Sequence, residues 1–591
     1  MVSDQWPVIS GQKKNTDSIW NAVRWPGLTP SAKEIYHLKN SLQRELAVYY
    51  YKQAGPFLWV VFTGGTGTGK STLFNALCGS DISATGVERP KTEEPVIYTH
   101  SKNSVGEEFP FPEFQIRHID EDESDSIKHH GISGNYVVAE HSRGEIDHLA
   151  LVDTPDLDSL EMQNRQMAED FYLLADVIVF ITSQEKYADE VPSRFFSRIY
   201  QEGKPYYFLL NKADNILTRE EILAFFLNQG MEITNDHFWL IPYISSPTRE
   251  AISNNGEFKK FTSLFSEMSG KTHLPQLHQE GKMRNARKLS EKINLFLSLL
   301  EEENLAGKEW LGGLDSIFED SSRDLLAQFE SHYRKDSRNY LQNEIRKIFH
   351  KYDLLRKPRR YIGRLFLAPF RFLGLKKRES SETHTKELLN IRQRVDISPV
   401  LETVERFNRL VLEKLSPKDN ISPLYNKMRE TDIALTNEEI RNKVREEQEK
   451  MAFWIEETFQ ELARGIPKSK EWGIYSASIL WGVLILSFEI VLGGGISIFE
   501  AALDSVLAPL VTKGSVELFA SREIKKIAHE LDHRYREGLL SILQEQKGRY
   551  ESCLVSLTTL QETIESIRSV QERLMASQKV ERVPSSLMEE G

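Results

Sequence analysis

The chain has 591 residues, which is too long for one hydrophobic core, and its 27% of charged residues is ordinary for a soluble globular protein. A formal net charge of −12 argues against a general affinity for nucleic acid. Cys78 and Cys553 are the only cysteines, so the composition excludes a disulfide framework and fits a reducing cytosol. The N-terminal residues lack the pattern of a signal peptide, and we expect a cytoplasmic protein.

The first 56 residues predict an irregular lead-in followed by one helix. Apolar residues recur at three- and four-residue steps between Ile35 and Tyr49, which predicts a helix over 31–53. Gly55 and Pro56 are expected to end this helix.

Short apolar runs alternate with helical patterns between 57 and 275. Nearly continuous apolar runs are typical of strands that are buried on both faces of a parallel sheet. A capping box at Thr218-x-x-Glu221 marks the start of one of the intervening helices. The alternation predicts an α/β domain with a mostly parallel sheet flanked by helices. The five runs are 57–63, 148–153, 176–182, 206–211 and 238–243.

A glycine-rich stretch follows the first of these strands and precedes a helical pattern. It matches the P-loop motif G-x-x-x-x-G-K-[ST], in which glycines allow successive backbone N–H groups to point at phosphate oxygens. Lys70 would place its charge on the β- and γ-phosphates, and Ser71 would offer its hydroxyl to Mg²⁺. The predicted phosphate-binding residues are Gly64, Gly65, Thr66, Gly67, Thr68, Gly69, Lys70, Ser71 and Thr72.

The sequence Asn-Lys-Ala-Asp at 211–214 ends the fourth run. The Asp214 carboxylate can accept hydrogen bonds from N1–H and from the exocyclic amine of guanine, whereas adenine presents neither donor there. A loop after the last run is placed to cover the base. The predicted guanine-binding residues are Asn211, Lys212, Asp214, Ser245 and Ser246.

An acidic residue, Asp153, ends the second run and is placed to hold a water molecule on Mg²⁺. Thr92 is the candidate hydroxyl that closes over Mg²⁺ and the γ-phosphate when a switch loop orders, with Thr85 and Thr99 as rivals. The predicted metal ligands are Ser71, Thr92 and Asp153, the predicted catalytic residues are Lys70 and Thr92, and the predicted switch II residues are Asp153, Thr154, Pro155 and Asp156.

Together these ordered motifs resemble the TRAFAC class of P-loop GTPases, in particular its Era-like and dynamin-like branches. The resemblance covers 57–270 and implies GTP and Mg²⁺ as ligands and hydrolysis to GDP. The chain departs from the family pattern in three places. Asp156 replaces the glycine of D-x-x-G, Leu157 stands where a catalytic glutamine is common, and Gly67 stands where dynamins usually carry serine. Arg89 is a candidate arginine finger, although a solvated loop residue is the plainer interpretation.

From about 275 onward strand patterns give way to helical spacing, which predicts a long all-α region. A heptad pattern runs from Tyr550 to Ile567. The predicted segments are a helical stalk over 276–355, a basic segment over 356–378, a helical region over 379–472, an apolar hairpin over 473–520, a long C-terminal helix over 521–576 and a disordered tail over 577–591.

Two of these segments suggest contact with a membrane. Residues 356–378 combine arginines and lysines with aromatic residues and contain no acid, as expected of a segment on anionic lipid or of a basic turn packed on the helical domain. Residues 473–511 are apolar, but Glu500 and Asp504 make a complete span unfavourable. This hairpin fits either a tip that enters one leaflet or a buried core hairpin.

A GTPase head on helices with a lipid-binding tip is similar to bacterial dynamin-like proteins. The resemblance implies self-association and attachment to the cytoplasmic face of a membrane. An Era-like soluble regulator and a GTP-binding scaffold with little hydrolysis remain alternatives. No RNA-binding pattern is recognisable, so nucleic acid is not an expected partner.

Overall fold

The computed structural model describes residues 18–331, 397–464, 483–492 and 515–580, except for 56, 86–93, 104, 106–108, 121–134, 159–161, 215–217, 246 and 269–272. The chain divides into two compact units. The first unit holds the residues up to Val23, Lys33–Leu300 and the chain from Thr559 onward, and the second holds Arg24–Ala32 and Glu301–Thr558.

A helical turn at 18–22 precedes the first long helix, α1 (Ala32–Ala54), which confirms the helix predicted over 31–53. Strands and further helices then follow. In chain order they are β1 (Leu58–Gly64), α2 (Lys70–Cys78), β2 (Val96–His100), β3 (Gln115–Asp120), β4 (Asn135–His141), β5 (Leu149–Asp153), α3 (Met162–Leu174), β6 (Val177–Ser183), α4 (Glu190–Gln201), β7 (Tyr206–Ala213), α5 (Arg219–Asn228), β8 (Phe238–Pro242), α6 (Arg249–Ser253) and α7 (Gly256–Met268). From β5 onward strands and helices alternate as predicted, whereas β2, β3 and β4 were not predicted and precede β5 with no helix between them in the described part of the chain.

The eight strands form one sheet in the order β3-β4-β2-β5-β1-β6-β7-β8. Every neighbouring pair is parallel except β2 with β5, which is antiparallel. The five predicted runs are β1, β5, β6, β7 and β8, which lie side by side in the sheet and are nearly all buried. Their carboxyl ends meet at one edge, where parallel α/β sheets bind their ligands.

Helices cover both faces of this sheet. Because side chains alternate between the two faces along each strand, each strand contributes to two cores. Trp59 and Val61 of β1 contribute to a core on the face of α1, α3, α4 and α5. Leu58, Val60 and Phe62 contribute to the opposite core, with α2, α6 and α7. Burial of both faces explains why the central strands are apolar along most of their length.

The second unit is all helical in its described part. Helix α8 (His273–Ser331) runs on from the first unit. It is followed by α9 (Ser398–Leu415), α10 (Pro423–Lys427), α11 (Asn437–Arg464), α12 (483–492) and α13 (Ser515–Ser556), and α14 (Gln561–Val580) closes the described chain within the first unit. One large apolar core joins the helices of the second unit.

Helix α12 comes from the middle of the predicted apolar hairpin and lies within this core. Val483, Phe488 and Ile490 are 0% exposed and pack with the other helices of the second unit. This part of the hairpin therefore takes the buried alternative. The rest of the hairpin, 473–482 and 493–514, lies outside the described residues, as does the basic segment 356–378. No helix in the described part of the chain has the length and apolar character needed to cross a bilayer.

The prediction of one long helix over 521–576 is wrong, because α13 ends at Ser556 and α14 begins at Gln561. The Thr558 hydroxyl donates to the Leu554 carbonyl, and such a local side-chain bond competes with continuation of the helix. Leu560 of the heptad pattern is 69% exposed, so the pattern is not one packed seam. The predicted start of the disordered tail, residue 577, is also too early, since α14 extends to Val580.

Candidate functional site

The phosphate-binding motif forms a tight loop between β1 and α2. Gly64 ends the strand, and Lys70 is the first residue of the helix, which Ser71 and Thr72 continue. Gly67 and Gly69 have φ angles of 73° and 89°, in the left-handed region that glycine adopts without steric cost. A Cβ atom at Gly69 would also lie 2.3 Å from Nδ2 of Asn211. The loop therefore places its backbone N–H groups next to the N-terminus of α2, and this arrangement binds phosphate.

The Lys70 ammonium lies between two carboxylates at the carboxyl end of β5. Its Nζ atom is 3.2 Å from Oδ1 of Asp153 and 3.6 Å from Oδ1 of Asp156. Burial lowers the pKa of Lys70, but the two carboxylates outweigh burial and leave the pKa raised. Lys70 is therefore charged at neutral pH and available to a phosphate.

Asp153 is completely buried and has a partner that the motifs did not reveal. The Ser83 hydroxyl donates to Oδ2 of Asp153 at 2.6 Å. The Ser83 backbone and the Asn75 side chain exchange two hydrogen bonds, of 2.9 and 2.8 Å, which fix the position of that hydroxyl. Among the described residues Oδ1 of Asp153 accepts no hydrogen bond of normal geometry, and it forms an ion pair with the Lys70 ammonium at the end of the phosphate loop.

The other residues of the predicted switch II segment follow Asp153 closely. Thr154 donates to the Phe62 carbonyl through both its N–H and its hydroxyl, and the Leu157 N–H donates to the Gly64 carbonyl at 3.2 Å. Pro155 is buried between them, and Asp156 is half-buried. The segment thus runs alongside the phosphate loop.

The guanine-recognition motif lies beside the same loop. The Asn211 side-chain amide donates to the Thr68 carbonyl at 2.8 Å, and the Lys212 ammonium donates to the Gly67 carbonyl at 2.7 Å. Lys212 has a φ of 56°, which is unusual for a residue other than glycine. The two predicted halves of the site, which are more than 140 residues apart in sequence, are therefore in direct contact.

Asp214 follows β7 with an exposed side chain. Its N–H donates to Oε1 of Gln184 at 2.8 Å, and Nε2 of Gln184 donates back to its carboxylate. Gln184 comes directly after β6 and was not predicted, because nothing in its local sequence distinguishes it. The reciprocal pair fixes the position of the Asp214 carboxylate at the carboxyl end of β7.

Of the four hydroxyl residues Ser245, Ser246, Thr92 and Thr99, the structure describes two. Ser245 follows β8 and is exposed, while Ser246 and Thr92 lie outside the described residues. The rival Thr99 is buried within β2, three strand positions from the residue paired with Asp153, and its hydroxyl accepts from Asn103. Thr99 is therefore part of the sheet and not of a loop, which favours Thr92 as the predicted switch threonine.

The oxygen donors at this edge suit Mg²⁺. Among the described residues no group of three or more His, Cys, Asp and Glu side chains could hold a metal ion. Mg²⁺ does not require such a group, since it usually binds one or two protein oxygens together with waters and phosphates. Oδ1 of Asp153 and the hydroxyl of Ser71 at the helix start are oxygen ligands of the type that Mg²⁺ prefers.

The strand order, the phosphate loop and the Asn-Lys-x-Asp turn beside it define a P-loop GTPase domain. Residues 60–214 match the model of the dynamin family, so this domain is a GTPase domain of the dynamin type.

Two curated proteins are similar to parts of the chain. One is the probable transmembrane GTPase FZO-like, chloroplastic, of Arabidopsis thaliana, with 24% identity over 291 residues, 44% of this chain and 29% of that protein. The other is an uncharacterized protein in the xynA 3′ region of Caldicellulosiruptor sp. (strain Rt8B.4), with 25% identity over 189 residues, 30% of this chain and 46% of that protein. The matches thus span less than half the length of either relative.

Solved structures of an oligomerised bacterial dynamin pair, described as a mechanism for the long-range sensing and tethering of membranes, are also similar. One match has a TM-score of 0.35 at 11% identity and covers 91% of both chains. A second has a TM-score of 0.31 at 14% identity and covers 91% of this chain and 90% of the other.

Proposed function

We propose that the chain binds GTP with Mg²⁺, hydrolyses it to GDP and phosphate, and acts as a membrane-associated dynamin-like GTPase. One observation carries the proposal. Asn211 and Lys212 of the guanine motif donate hydrogen bonds to the carbonyls of Thr68 and Gly67 in the phosphate loop. One nucleotide can therefore reach both motifs.

The phosphates are bound by the loop from Gly64 to Thr72. Its backbone N–H groups and the α2 N-terminus supply partial positive charge, and Lys70 supplies a full one. In the described structure Lys70 pairs with Asp153 and Asp156, and a triphosphate offers it stronger anionic partners. These groups stabilise the charge of the phosphoryl group that is transferred.

Mg²⁺ would be held by the Ser71 hydroxyl and, directly or through water, by Asp153, with Thr92 as the third predicted ligand. The ion neutralises charge on the β- and γ-phosphates. Ser83 holds Asp153 in place for this role. Because Leu157 stands where a catalytic glutamine is common, the attacking water needs another group to position it.

The base is recognised by Asp214, which Gln184 orients. Two charge-assisted hydrogen bonds from guanine to one carboxylate favour GTP over ATP. Ser245 and Ser246 complete the proposed base site from the loop after β8.

The membrane part of the proposal rests on sequence and on a relative. The FZO-like relative is called a transmembrane GTPase, and residues 356–378 carry the basic and aromatic composition that binds anionic lipid. These features support attachment to the cytoplasmic face of a membrane, and self-association is proposed from the resemblance of the sequence to bacterial dynamin-like proteins.

A GTP-binding scaffold with little hydrolysis is the second candidate, favoured by Asp156 in the place of a glycine and by Leu157. Release of phosphate in a single turnover, at low and high protein concentration, distinguishes the two. An enzyme releases stoichiometric phosphate, whereas a scaffold retains intact GTP.

The direct test of the proposed function is the Lys70→Ala variant. Loss of the ammonium should lower GTP turnover by about 100-fold or more, the typical loss for a transition-state charge donor. Turnover is measured by phosphate release with Mg²⁺, and Lys259→Ala, on the exposed surface of α7, is the matched control. Turnover by Lys70→Ala equal to that of the natural protein would contradict the proposal.

A further inference from the structure

Two acidic side chains of the segment after β5 contact the donors of the phosphate loop. The Asp158 carboxylate accepts hydrogen bonds from the Thr66 N–H at 2.8 Å and from the Thr66 hydroxyl at 2.6 Å. The Asp156 carboxylate lies 3.6 Å from the Lys70 ammonium. Carboxylates therefore occupy positions at which a phosphate-binding loop offers its amide and its ammonium to an anion.

Building on the proposed function, we propose that Asp158 determines the preference of this site between GTP and GDP. Its carboxylate holds the Thr66 amide when the site has no terminal phosphate, and the terminal phosphate of GTP replaces it. Asp156 has a similar but weaker effect, because its carboxylate pairs with the Lys70 ammonium until the terminal phosphate replaces it.

The position of Thr66 explains why the terminal phosphate is the competitor. The inner phosphates bind at the N-terminus of α2, around Gly69 and Lys70, where the helix dipole is concentrated. Thr66 comes two residues after the last residue of β1, on the strand side of the loop, and Lys70 reaches the β- and γ-phosphates. GDP has no γ-phosphate, so GDP leaves the contact between Asp158 and Thr66 intact.

The charge of Asp158 makes the competition effective. Burial raises the pKa of its carboxyl, but the hydrogen bonds from Thr66 and the nearby Lys186 outweigh burial and leave the pKa lowered. The Lys186 ammonium is 3.5 Å from Oδ2 of Asp158. The carboxylate therefore keeps an ion-pair partner when the terminal phosphate binds the Thr66 amide. An ionised carboxylate and a phosphate repel each other at hydrogen-bond distance, and they cannot share one amide.

The test compares affinities for GTPγS and GDP in the full chain with Mg²⁺, using Asp158→Ala and Asp158→Asn. The alanine variant removes both the charge and the acceptor, and the asparagine variant keeps an acceptor of the same shape. Asp236→Asn is the matched control. Asp236 is exposed and lies just before β8, at the amino ends of the strands and therefore opposite the phosphate loop.

We expect the ratio of GTPγS affinity to GDP affinity to rise about tenfold in Asp158→Ala, less in Asp158→Asn and not at all in Asp236→Asn. Thermal unfolding of each variant shows whether it folds, and Asp158→Asn carries the test if Asp158→Ala does not. An unchanged or lower ratio in folded Asp158 variants would overturn the inference while leaving the proposed function standing. Failure of the natural chain to bind either nucleotide would instead overturn the proposed function itself.

Discussion

The surroundings of Asp153 show that this site depends on side chains, such as Ser83, that belong to none of the sequence motifs. Its carboxylate is buried between the Lys70 ammonium and the Ser83 hydroxyl. A buried carboxylate is costly unless it is hydrogen-bonded, so Ser83 maintains both the stability of the domain and the orientation of a predicted Mg²⁺ ligand.

The Ser83→Ala variant tests this role. Loss of a hydrogen bond to a buried charge should lower the free energy of unfolding by about 1.5–3 kcal/mol and raise the Mg²⁺ concentration needed for GTP turnover several-fold. Urea unfolding and a Mg²⁺ titration of turnover measure the two effects. Ser263→Ala is the control and should change neither quantity, because the exposed Ser263 hydroxyl donates to the Lys260 carbonyl of its own helix, α7. If Ser83→Ala behaves like this control, the role assigned to Ser83 is wrong.

The proximity of the motif residues could be predicted from the sequence, because each lies at or after the carboxyl end of a strand in one parallel sheet. Lys70, Asp153 and Asp214 illustrate this, since each follows an apolar run that the sequence displays. Their partners Ser83, Gln184 and Asp158 could not be predicted. They meet the motif residues only after the chain folds, and serine, glutamine and aspartate occur on loops for many other reasons.

The same distinction applies to whole elements. The central strands β1, β5, β6, β7 and β8 were predicted because burial on both faces makes them continuously apolar. Strands β2, β3 and β4 were missed because their apolar stretches are short, with three residues in Val96–His100, four in Asn135–His141 and two separated isoleucines in Gln115–Asp120. The antiparallel pairing of β2 with β5 has no local signal either, since it depends on how the chain between them returns to the sheet.

At the start of the second unit one buried carboxylate connects two elements. Glu303 of α8 is 0% exposed and accepts hydrogen bonds from the N–H groups of Gly27, Leu28 and Thr29, at 2.8, 3.0 and 2.7 Å. The Thr29 hydroxyl donates to it as well, at 2.6 Å. The turn before α1 is thereby fixed to α8.

We expect Glu303→Ala to lower the free energy of unfolding of the second unit by about 3 kcal/mol or more, because it leaves several buried donors without an acceptor. Glu302→Ala removes an exposed acid one position earlier and should change it by less than about 0.5 kcal/mol. Urea denaturation followed by circular dichroism gives both values. Equal midpoints for the two variants would mean that the Glu303 contacts do not contribute.

At the scale of the molecule, a GTPase domain of the dynamin type shares one chain with a helical unit that has its own core. The core of that unit already includes α12, so the apolar character of 483–492 serves folding. The basic segment 356–378 then becomes the main candidate for lipid contact.

Co-sedimentation with liposomes tests the membrane proposal. The chain should sediment with vesicles that contain anionic phosphatidylserine and remain in solution with neutral phosphatidylcholine vesicles, because each basic residue near an anionic surface contributes about 1 kcal/mol. Replacing the arginines and lysines of 356–378 by glutamine should abolish sedimentation, while the same number of replacements on α13 and α14 should preserve it. The assay is run with GTP, with GDP and without nucleotide. Equal sedimentation of both variants would exclude this segment as the membrane contact.

The most direct measurement of the central claim is the nucleotide specificity of Asp214→Asn. The natural chain should bind GTP far more tightly than ATP, whereas the variant should lose GTP affinity by about 100-fold and gain affinity for xanthosine triphosphate. Xanthine has a carbonyl where guanine has an amine, and the asparagine amide can donate to it while still accepting from N1–H. Equal affinity of the natural chain for GTP and ATP, or unchanged GTP affinity in Asp214→Asn, would contradict a guanine site built by the phosphate loop and the turn at 211–214.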